Sequence, residues 1–481
     1  MLFNSIDFAI FLPIVFILYW FVTNKNLRLQ NLLIASASYV FYGWWDWRFL
    51  SLIIFSTVID YTVGLKLKNE ENQTKRKVFL WTSIAVNLGF LGFFKYYNFF
   101  LDNLIAAFSF FGTELNANSL NIILPVGISF YTFQTLSYTI DVYKRKLEPT
   151  KDFVAFSAFV SFFPQLVAGP IERATNLLPQ FYNKRTFDYS KAVDGMRQIL
   201  WGLFKKIVIA DNCAEYANQI FNNSNDYSGS TLVLGAIFFT FQIYGDFSGY
   251  SDIAIGTSRL FGFNLMRNFA FPYFSRDIAE FWRRWHISLS TWFRDYLYIP
   301  LGGSRGSTFM KVRNTFIIFV VSGFWHGANW TFIIWGALNA AYFLPLLLTK
   351  NNRKNIDIVA NGKLFPTLKE SILILITFVL TVFAWILFRA ENLGHAVQYI
   401  SGIFEHPGSF LLLGIYWKYR ILIFLISFFV MIEWIGREGQ YALSNIDYLN
   451  NRILRWSIYL SIVVLIVIFK GKQQEFIYFQ F

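Results

Sequence analysis

Long stretches without Asp, Glu, Lys or Arg recur along the whole chain and set its pattern. About 20 consecutive apolar residues cross the ~30 Å hydrocarbon core of a bilayer as one helix. These stretches therefore predict membrane helices, and together they predict an all-α polytopic membrane protein with about 11–13 of them. Thr315–Thr349 is long enough for two helices. The other stretches are Phe8–Val22, Leu29–Trp45, Phe49–Ile59, Val78–Phe94, Leu120–Ile140, Phe153–Ile171, Tyr227–Gly245, Ser371–Phe388, Ile421–Ile432 and Trp456–Phe469.

The composition agrees with this pattern and excludes a water-soluble protein. Of the 481 residues, 55% are hydrophobic, 21% are aromatic and only 15% are charged. Typical soluble domains contain ~25% charged residues. A soluble chain could not bury 58 phenylalanines and 16 tryptophans, so the surplus apolar surface faces lipid. The start of the chain lacks a basic segment and a cleavage site, which predicts a retained first helix and not a signal peptide.

The net charge of +13 lies mainly in the loops between the apolar stretches. Basic residues collect in cytoplasmic loops of membrane proteins. The loops 66–77 and 144–152 are therefore predicted to be cytoplasmic, with the N-terminus outside. Because the charge does not form one solvated patch, no nucleic-acid partner is expected. The single cysteine, Cys213, excludes an intramolecular disulfide, and no metal site is expected.

The alternation of loop charge fails after Phe153–Ile171, because the loops on both sides of this apolar stretch are basic. A Gly-Pro break at Gly169-Pro170 lies near its end. Irregular backbone at membrane depth is tolerated only where it is buried in protein or lines a cavity. The stretch is therefore predicted to be re-entrant, entering and leaving on the same side beside a cavity.

A second irregularity is the segment from Asn264 to Arg313, in which arginines and aromatic residues alternate. One interpretation is an interfacial amphipathic helix, with aromatic rings at the headgroups and arginines reaching the water. The other is the floor of a funnel that receives a charged substrate. The sequence leaves both open.

His326 lies inside the charge-free stretch Thr315–Thr349. An ionisable side chain at that depth is expensive, so it predicts a functional site. Its neighbours Gly323, Gly327 and Ala328 are small, which lets a substrate or another helix approach the imidazole closely. The alternative is a core histidine bonded to a backbone carbonyl.

His286 is the second candidate, in the run Glu280–Ser288. On a continuous helix, Trp282 and His286 would share one face at i, i+4. The alternative is an ordinary interfacial histidine. Two weaker candidates accompany it: Arg305, in a glycine-rich loop whose N–H groups could contact a phosphate, and Asp246, which could orient a base or cap a helix.

Several segments carry recognisable motifs, and the most specific of them lie within 246–327. The segments are Asp246–Gly256, Phe281–Ser290, Phe293–Tyr296, Pro300–Gly303, Trp325–Ala328, Pro164–Ile171 and Phe476–Phe481. Together they resemble the membrane-bound O-acyltransferase family, most closely its bacterial alginate O-acetyltransferase branch. The resemblance covers nearly the whole chain, and more distantly it extends to the teichoic-acid D-alanyl transfer protein.

The resemblance implies one membrane acyltransferase domain over residues 1–481, built around a central tunnel. The invariant histidine of the family falls on His326, and a second family histidine falls on His286. The chain departs from many relatives at Asn339, where they carry a histidine. An asparagine can form hydrogen bonds but cannot act as a base, so this position is not expected to be a required base.

The expected reaction is acyl transfer from a thioester to a hydroxyl, with His326 as base and His286 orienting or polarising the donor. The donor is expected to be acetyl-CoA or an acyl-phosphopantetheine carrier, with no tightly bound cofactor. The acceptor is an exported polysaccharide or a periplasmic acetyltransferase partner, which places the protein in the bacterial inner membrane. D-alanyl transfer to teichoic acid and a non-catalytic transporter remain alternatives. The expected substrate contacts are Arg283, Arg284, Arg305, Asp246, Asn329 and Asn339.

Overall fold

The computed structural model of the chain describes residues 1–115, 117–167, 169–405 and 413–479. Within these ranges the backbone forms helices and loops and contains no β-strand. Ala168, Gln480 and Phe481, which belong to the motifs above, lie outside the described residues. The α-helices are α1 (Ile6–Ile17), α2 (Leu27–Asp46), α3 (Leu50–Asn69), α4 (Gln73–Leu91), α5 (Tyr97–Phe110), α6 (Ile128–Tyr143), α7 (Phe153–Ser161), α8 (Phe163–Leu166), α9 (Ala174–Leu177), α10 (Tyr189–Leu203), α11 (Asp211–Asn222), α12 (Gly229–Leu260), α13 (Ile278–Arg284), α14 (Ile287–Phe293), α15 (Thr308–His326), α16 (Trp330–Leu348), α17 (Leu368–Arg389), α18 (Leu393–Glu405), α19 (Leu413–Ile435) and α20 (Arg452–Ile468).

Five of the described helical segments are long and apolar enough to cross a membrane. This confirms the predicted all-α polytopic membrane protein. The predicted total of about 11–13 spans and the central tunnel stay predictions. The five segments are Leu27–Asn69, Gln73–Phe110, Gly229–Leu260, Trp330–Leu348 and Leu368–Arg389.

Polar side chains start several of the long helices at the edge of an apolar stretch. Asn26 and Asn72 accept hydrogen bonds from the first free N–H groups of α2 and α4, respectively. At the start of α17, Thr367 and Glu370 form a reciprocal capping box. Such caps satisfy N–H groups that have no partner inside the helix. The helix starts are thus fixed by local polar residues, while the apolar stretches fix the helix bodies.

The chain divides into two compact units, residues 1–192 with 257–266 and residues 193–256 with 267–481. The prediction of a single domain stays a prediction. In the first unit α3 packs on α4 and α6 around the buried carboxylate of Asp60. Asn87 and Thr139 each donate to it at 2.9 Å, and the Ser83 hydroxyl donates as well. Because the carboxylate is fully buried, these hydrogen bonds satisfy it and hold the three helices in register.

The apolar stretch 153–171 is not one helix. It forms α7 of nine residues and the short α8, with a break at Phe162 (φ −47°, ψ 103°). Nine helical residues rise only about 14 Å, less than half of the ~30 Å hydrocarbon core. The broken path favours the predicted re-entrant segment over a membrane crossing.

The re-entrant path predicts that the residues on both sides of 153–171 share the cytoplasmic side. We expect Lys151→Cys and Lys184→Cys, each in a Cys213→Ala background, to react only with a membrane-permeant thiol reagent in intact cells. Both lysines are exposed, so accessibility is decided by the side of the membrane. Trp47→Cys, in a loop of opposite predicted side, should react with an impermeant reagent. Labelling of Lys184→Cys by the impermeant reagent would show that 153–171 crosses.

Candidate active site

His286 lies at a sharp turn between α13 and α14. Helix α13 ends at Arg284, Trp285 is extended, and His286 adopts a left-handed conformation with φ 43° and ψ 55°. The prediction that Trp282 and His286 share a helix face is therefore wrong, because the helix ends before His286. A left-handed non-glycine residue costs of order 1–3 kcal/mol and persists only where its surroundings hold it. Here the Ile287 N–H donates to the Asn268 carbonyl at 2.9 Å, which fixes the turn.

The amide of Asn268 determines the tautomer of His286. Its Oδ1 atom accepts hydrogen bonds from the Ser288 backbone N–H (3.3 Å) and hydroxyl (2.9 Å), so this oxygen acts as an acceptor. His286 Nδ1 lies 3.0 Å from the same oxygen and therefore carries the proton. Its Nε2 atom is left with a lone pair, and it is buried without a hydrogen-bond partner in the described part of the chain.

Burial also fixes the charge of His286, which lies outside the five spanning segments. The side chain is only 1% exposed, and burial lowers the pKa of the imidazole to about 3. The ring is therefore neutral near pH 7. A neutral ring whose N–H is used by Asn268 can accept a hydrogen bond at Nε2 but cannot donate one there. This geometry favours orienting a hydroxyl over polarising a carbonyl.

His326 is the last residue of α15 and is also buried. Two glycines bring α15 against α16: a side chain at Gly323 would collide with the Phe332 carbonyl, and one at Gly336 with the Phe319 carbonyl. Gly323, one of the small neighbours noted in the sequence, thus serves close helix packing. The imidazole is placed among rings whose centroids lie 5.0–5.3 Å away, namely those of Trp325, Trp335 and Phe388.

The two histidines lie against the same aromatic side chains. The Tyr478 ring is 5.6 Å from the His326 ring and 6.4 Å from the His286 ring, between centroids. The Trp325 ring is 5.0 Å from His326 and 6.1 Å from His286. The structure therefore brings together the two histidines that the sequence proposed. We call these four residues the histidine cluster.

A buried ion cluster anchors the segment 474–479, which carries Tyr478 and which we call the tail. Lys206, in the π-helical stretch Phe204–Ala210, contacts Asp211 and Asp246 at 2.8 Å each. The other oxygen of Asp246 accepts the Ile477 N–H at 2.7 Å. Asp246, expected as a substrate contact, has these protein partners in the structure. By holding Ile477, Asp246 positions the neighbouring Tyr478, whose ring contacts both histidines.

The arginines of α13 are engaged with the protein. Arg283 donates to the carbonyls of Asn352 (2.8 Å) and Asn355 (2.7 Å). Arg284 contacts Glu280 at 2.7 Å and the Asp357 carbonyl at 2.9 Å. These contacts tie the loop after α16 to α13. They favour a structural role for both side chains over the predicted contact with substrate.

The other predicted contacts are dispersed. Arg305 is exposed in the loop before α15, a helix of 19 residues, about 28 Å long, that has His326 at its other end. Asn329 caps α16 and donates to the Glu391 carbonyl at 2.7 Å. Asn339 is buried and donates to the carbonyl of Trp335, one turn earlier, at 2.8 Å. Arg305 thus has room to meet a phosphate, but far from the histidine cluster.

Sequence reasoning missed Asn268 and the role of Tyr478. The C-terminal motif containing Tyr478 was noticed only as part of a family resemblance. Asn268 stands in an aromatic segment, where a lone buried amide is a usable signal. Neither sequence position reveals its partner. Tyr478 lies more than 150 residues from His326 along the chain, and Asn268 meets His286 only because the chain turns back between them.

Residues 144–382 match the sequence pattern of the membrane-bound O-acyltransferases. The chain is 44% identical to the probable alginate O-acetylase AlgI of Azotobacter vinelandii, over 84% of this chain and 78% of that protein. The chain belongs to the membrane-bound O-acyltransferase family. It is therefore a multi-pass membrane acyltransferase, as predicted.

Other relatives of this acyltransferase differ in how much of it they match. The peptidoglycan O-acetyltransferase of Helicobacter pylori is 36% identical over 84% of this chain and 80% of its own length. The teichoic acid D-alanyltransferase of Streptococcus thermophilus is 32% identical, but over only 44% of this chain and 54% of its own. The likeness to the O-acetyl-transferring relatives extends over most of the acyltransferase.

The Asn268–His286 hydrogen bond predicts that the two residues act as one unit. We expect His286→Ala and Asn268→Leu each to lower acyl transfer roughly 10²-fold, because either change removes the oriented lone pair at Nε2. The double variant should be no worse than the worse single variant. Transfer rates of purified variants, normalised to folded protein, test this. Full activity of well-expressed His286→Ala would remove His286 from the site.

The anchor at Asp246 predicts a specific effect on the tail. Asp246→Asn should raise amide hydrogen exchange across residues 474–479 and lower transfer, since breaking a buried ion pair costs about 3–5 kcal/mol. Asp252→Asn is the matched control, because Asp252 pairs with the neighbouring Lys205 and forms no hydrogen bond or ion pair with the described residues 474–479. Equal exchange of 474–479 in both variants would contradict the anchoring role.

Proposed function

We propose that this acyltransferase is an O-acetyltransferase that passes an acetyl group from a cytoplasmic thioester towards hydroxyls of an exported polysaccharide. The observation that carries the proposal is the histidine cluster, in which two buried imidazoles share the same aromatic neighbours. The extent of the likeness to O-acetyl-transferring relatives supports acetyl as the group. The proposed reaction, from a thioester inside the cell to a polymer outside it, fits a bacterial inner-membrane location, which is part of the proposal.

His326 is the base in this proposal. It takes the proton of the acceptor hydroxyl as the oxygen attacks the thioester carbonyl. The C–O bond forms, the C–S bond breaks, and the thiolate leaves and takes up a proton. A positioned base contributes typically 10²–10⁴-fold to such a step. The surrounding rings of Trp325, Trp335 and Phe388 exclude water, which limits loss of the acetyl group by hydrolysis.

His286 orients a reacting group in this proposal. Its neutral ring presents the Nε2 lone pair, which accepts a hydrogen bond from a hydroxyl or thiol and holds it in one direction. Positioning of this kind lowers the entropic part of the barrier. Because the ring stays neutral down to acidic pH, His286 does not compete with His326 for the transferred proton.

The donor and acceptor complete the proposal. The donor is acetyl-CoA or an acyl-phosphopantetheine carrier, used as a substrate and not as a tightly bound cofactor. The exposed Arg305 is the proposed contact for a donor phosphate at the far end of α15. The acceptor is the polysaccharide itself or a periplasmic acetyltransferase partner. A D-alanyl thioester that replaces the acetyl donor in a purified system would instead assign the protein to D-alanyl transfer.

The base assignment predicts the behaviour of two variants. His326→Ala should abolish acyl transfer, and His326→Gln should be equally inactive, because glutamine keeps hydrogen-bonding capacity but cannot take a proton near neutral pH. Acetyl esters on the polymer, measured by mass spectrometry in cells with normal protein levels, give the readout. A structural histidine would tolerate glutamine better than alanine.

His395→Gln is the matched control, because His395 contacts the Phe221 carbonyl at 3.1 Å and is not in the histidine cluster. It should retain nearly all of the activity. Near-wild-type acetylation by His326→Gln would show that His326 is not the base. A substrate-assisted reaction or transport without chemistry would then replace the proposed mechanism.

A further inference from the structure

A basic cavity lies in the first unit and is lined by residues of that unit alone. It has a volume of about 280 Å³ and lies beside the loop 183–188 and the turn after α12. Its cationic lining residues are Lys184, Arg185, Lys191 and Arg259, and its one acidic lining residue is Asp188. The lining therefore carries a net charge of +3 from residues of this unit alone.

Three of the four cationic lining residues of this cavity are not paired with a carboxylate in the described part of the chain. Lys184, Arg185 and Lys191 form no ion pair within the described ranges. The carboxylate of Asp188 bonds to its own loop, because one of its oxygens accepts hydrogen bonds from the Ser190 N–H at 2.9 Å and from the Ser190 hydroxyl at 2.7 Å. An uncompensated basic cavity of this kind favours an anionic ligand.

The buried side chain of Arg185 distinguishes this cavity from a chance group of surface lysines. The side chain is only 7% exposed, and its guanidinium lies 4.8 Å from the Phe263 ring centroid. Neutral oxygens hold it, namely Asn31 Oδ1 at 2.6 Å and the Gln180 carbonyl at 3.2 Å. Its Nε atom is buried without a hydrogen-bond partner within the described ranges. A buried guanidinium held by neutral groups keeps its full charge for a ligand.

An apolar cavity of about 400 Å³ adjoins the basic one and shares Trp20 and the run 184–187 with it. Its remaining lining residues are Phe16, Phe21, Asn24 and Lys25, so its surface is apolar along the phenylalanines and polar at the end of the helix. Phe21 is 74% exposed. The Phe187 ring packs edge-on against Trp20 at 5.5 Å and Phe16 at 6.0 Å. The Phe187 ring thus packs against the end of the first helical segment, beside the second cavity.

We propose that the two cavities bind one anionic phospholipid, with its phosphate at Lys184, Arg185 and Lys191 and an acyl chain along Phe16, Phe21 and Phe187. Three features together select this ligand: a positive cavity sized for a headgroup, an adjoining apolar cavity, and exposed aromatic side chains at the end of a helix. The basic loops assign this end to the cytoplasmic side, where anionic lipids attract cations. A soluble phosphate compound would use the first cavity only.

Native mass spectrometry of the full chain in neutral detergent tests the proposal. We expect dioleoyl-phosphatidylglycerol to stay bound where dioleoyl-phosphatidylcholine does not. Lys184→Gln combined with Lys191→Gln should weaken this binding about 10-fold or more, because two phosphate-facing charges are lost. Both lysines are exposed, so the fold should be unaffected. Lys77→Gln with Lys354→Gln removes the same charge elsewhere and should leave binding unchanged.

A second variant separates the chain from the headgroup. Phe187→Ala should weaken binding of the dioleoyl lipid but not of dihexanoyl-phosphatidylglycerol, whose short chains bury little apolar area. Equal loss in the two lysine double variants would overturn the proposal, because it would show only general attraction. Displacement of the dioleoyl lipid by coenzyme A would also overturn it and would assign the basic cavity to a soluble phosphate.

Discussion

The ion cluster of Lys206, Asp211 and Asp246 is the constraint on which the histidine cluster depends. Charges buried away from water are costly unless they are paired, and removing one partner leaves the other uncompensated. One oxygen of Asp246 pairs with Lys206 and the other accepts the Ile477 N–H. The carboxylate that neutralises Lys206 therefore also holds the tail in place. The tail in turn places Tyr478 beside both histidines. A residue 80 positions before His326 thus shapes its surroundings.

Burial also determines the chemistry available at the histidine cluster. Neutral partners hold His286: Asn268 takes its N–H, and aromatic rings surround the rest, so the ring is uncharged and its lone pair has one direction. His326 ends a helix that two glycines press against its neighbour. Both imidazoles are fixed by packing before any substrate arrives. Preorganised groups of this kind cost no reorganisation during reaction, which is a large part of enzymatic rate enhancement.

The charged segment between Asn264 and Arg313 contains residues with different contacts, and its two interpretations, interfacial helix and funnel floor, stay predictions. Arg283 and Arg284 hold the loop after α16 to α13, and His286, from the same segment, turns inward to the histidine cluster. Arg305 remains at the surface, a helix length from His326. The basic cavity in the first unit is formed by a different set of cations. Arginine content alone therefore does not identify which cations meet a ligand.

The sequence by itself determined the helical membrane architecture and singled out His286 and His326 as candidate site residues. Charge-free stretches of membrane length permit little other than helices, and an ionisable residue inside such a stretch needs a reason to be there. Only the tertiary structure decided the turn at His286, its tautomer, its partner Asn268 and the placement of Tyr478. The physical reason is that these depend on hydrogen bonds and ring contacts between residues far apart in the chain. Local sequence pattern fixes helices, whereas the protonation and direction of a buried side chain are set by whatever the fold packs against it.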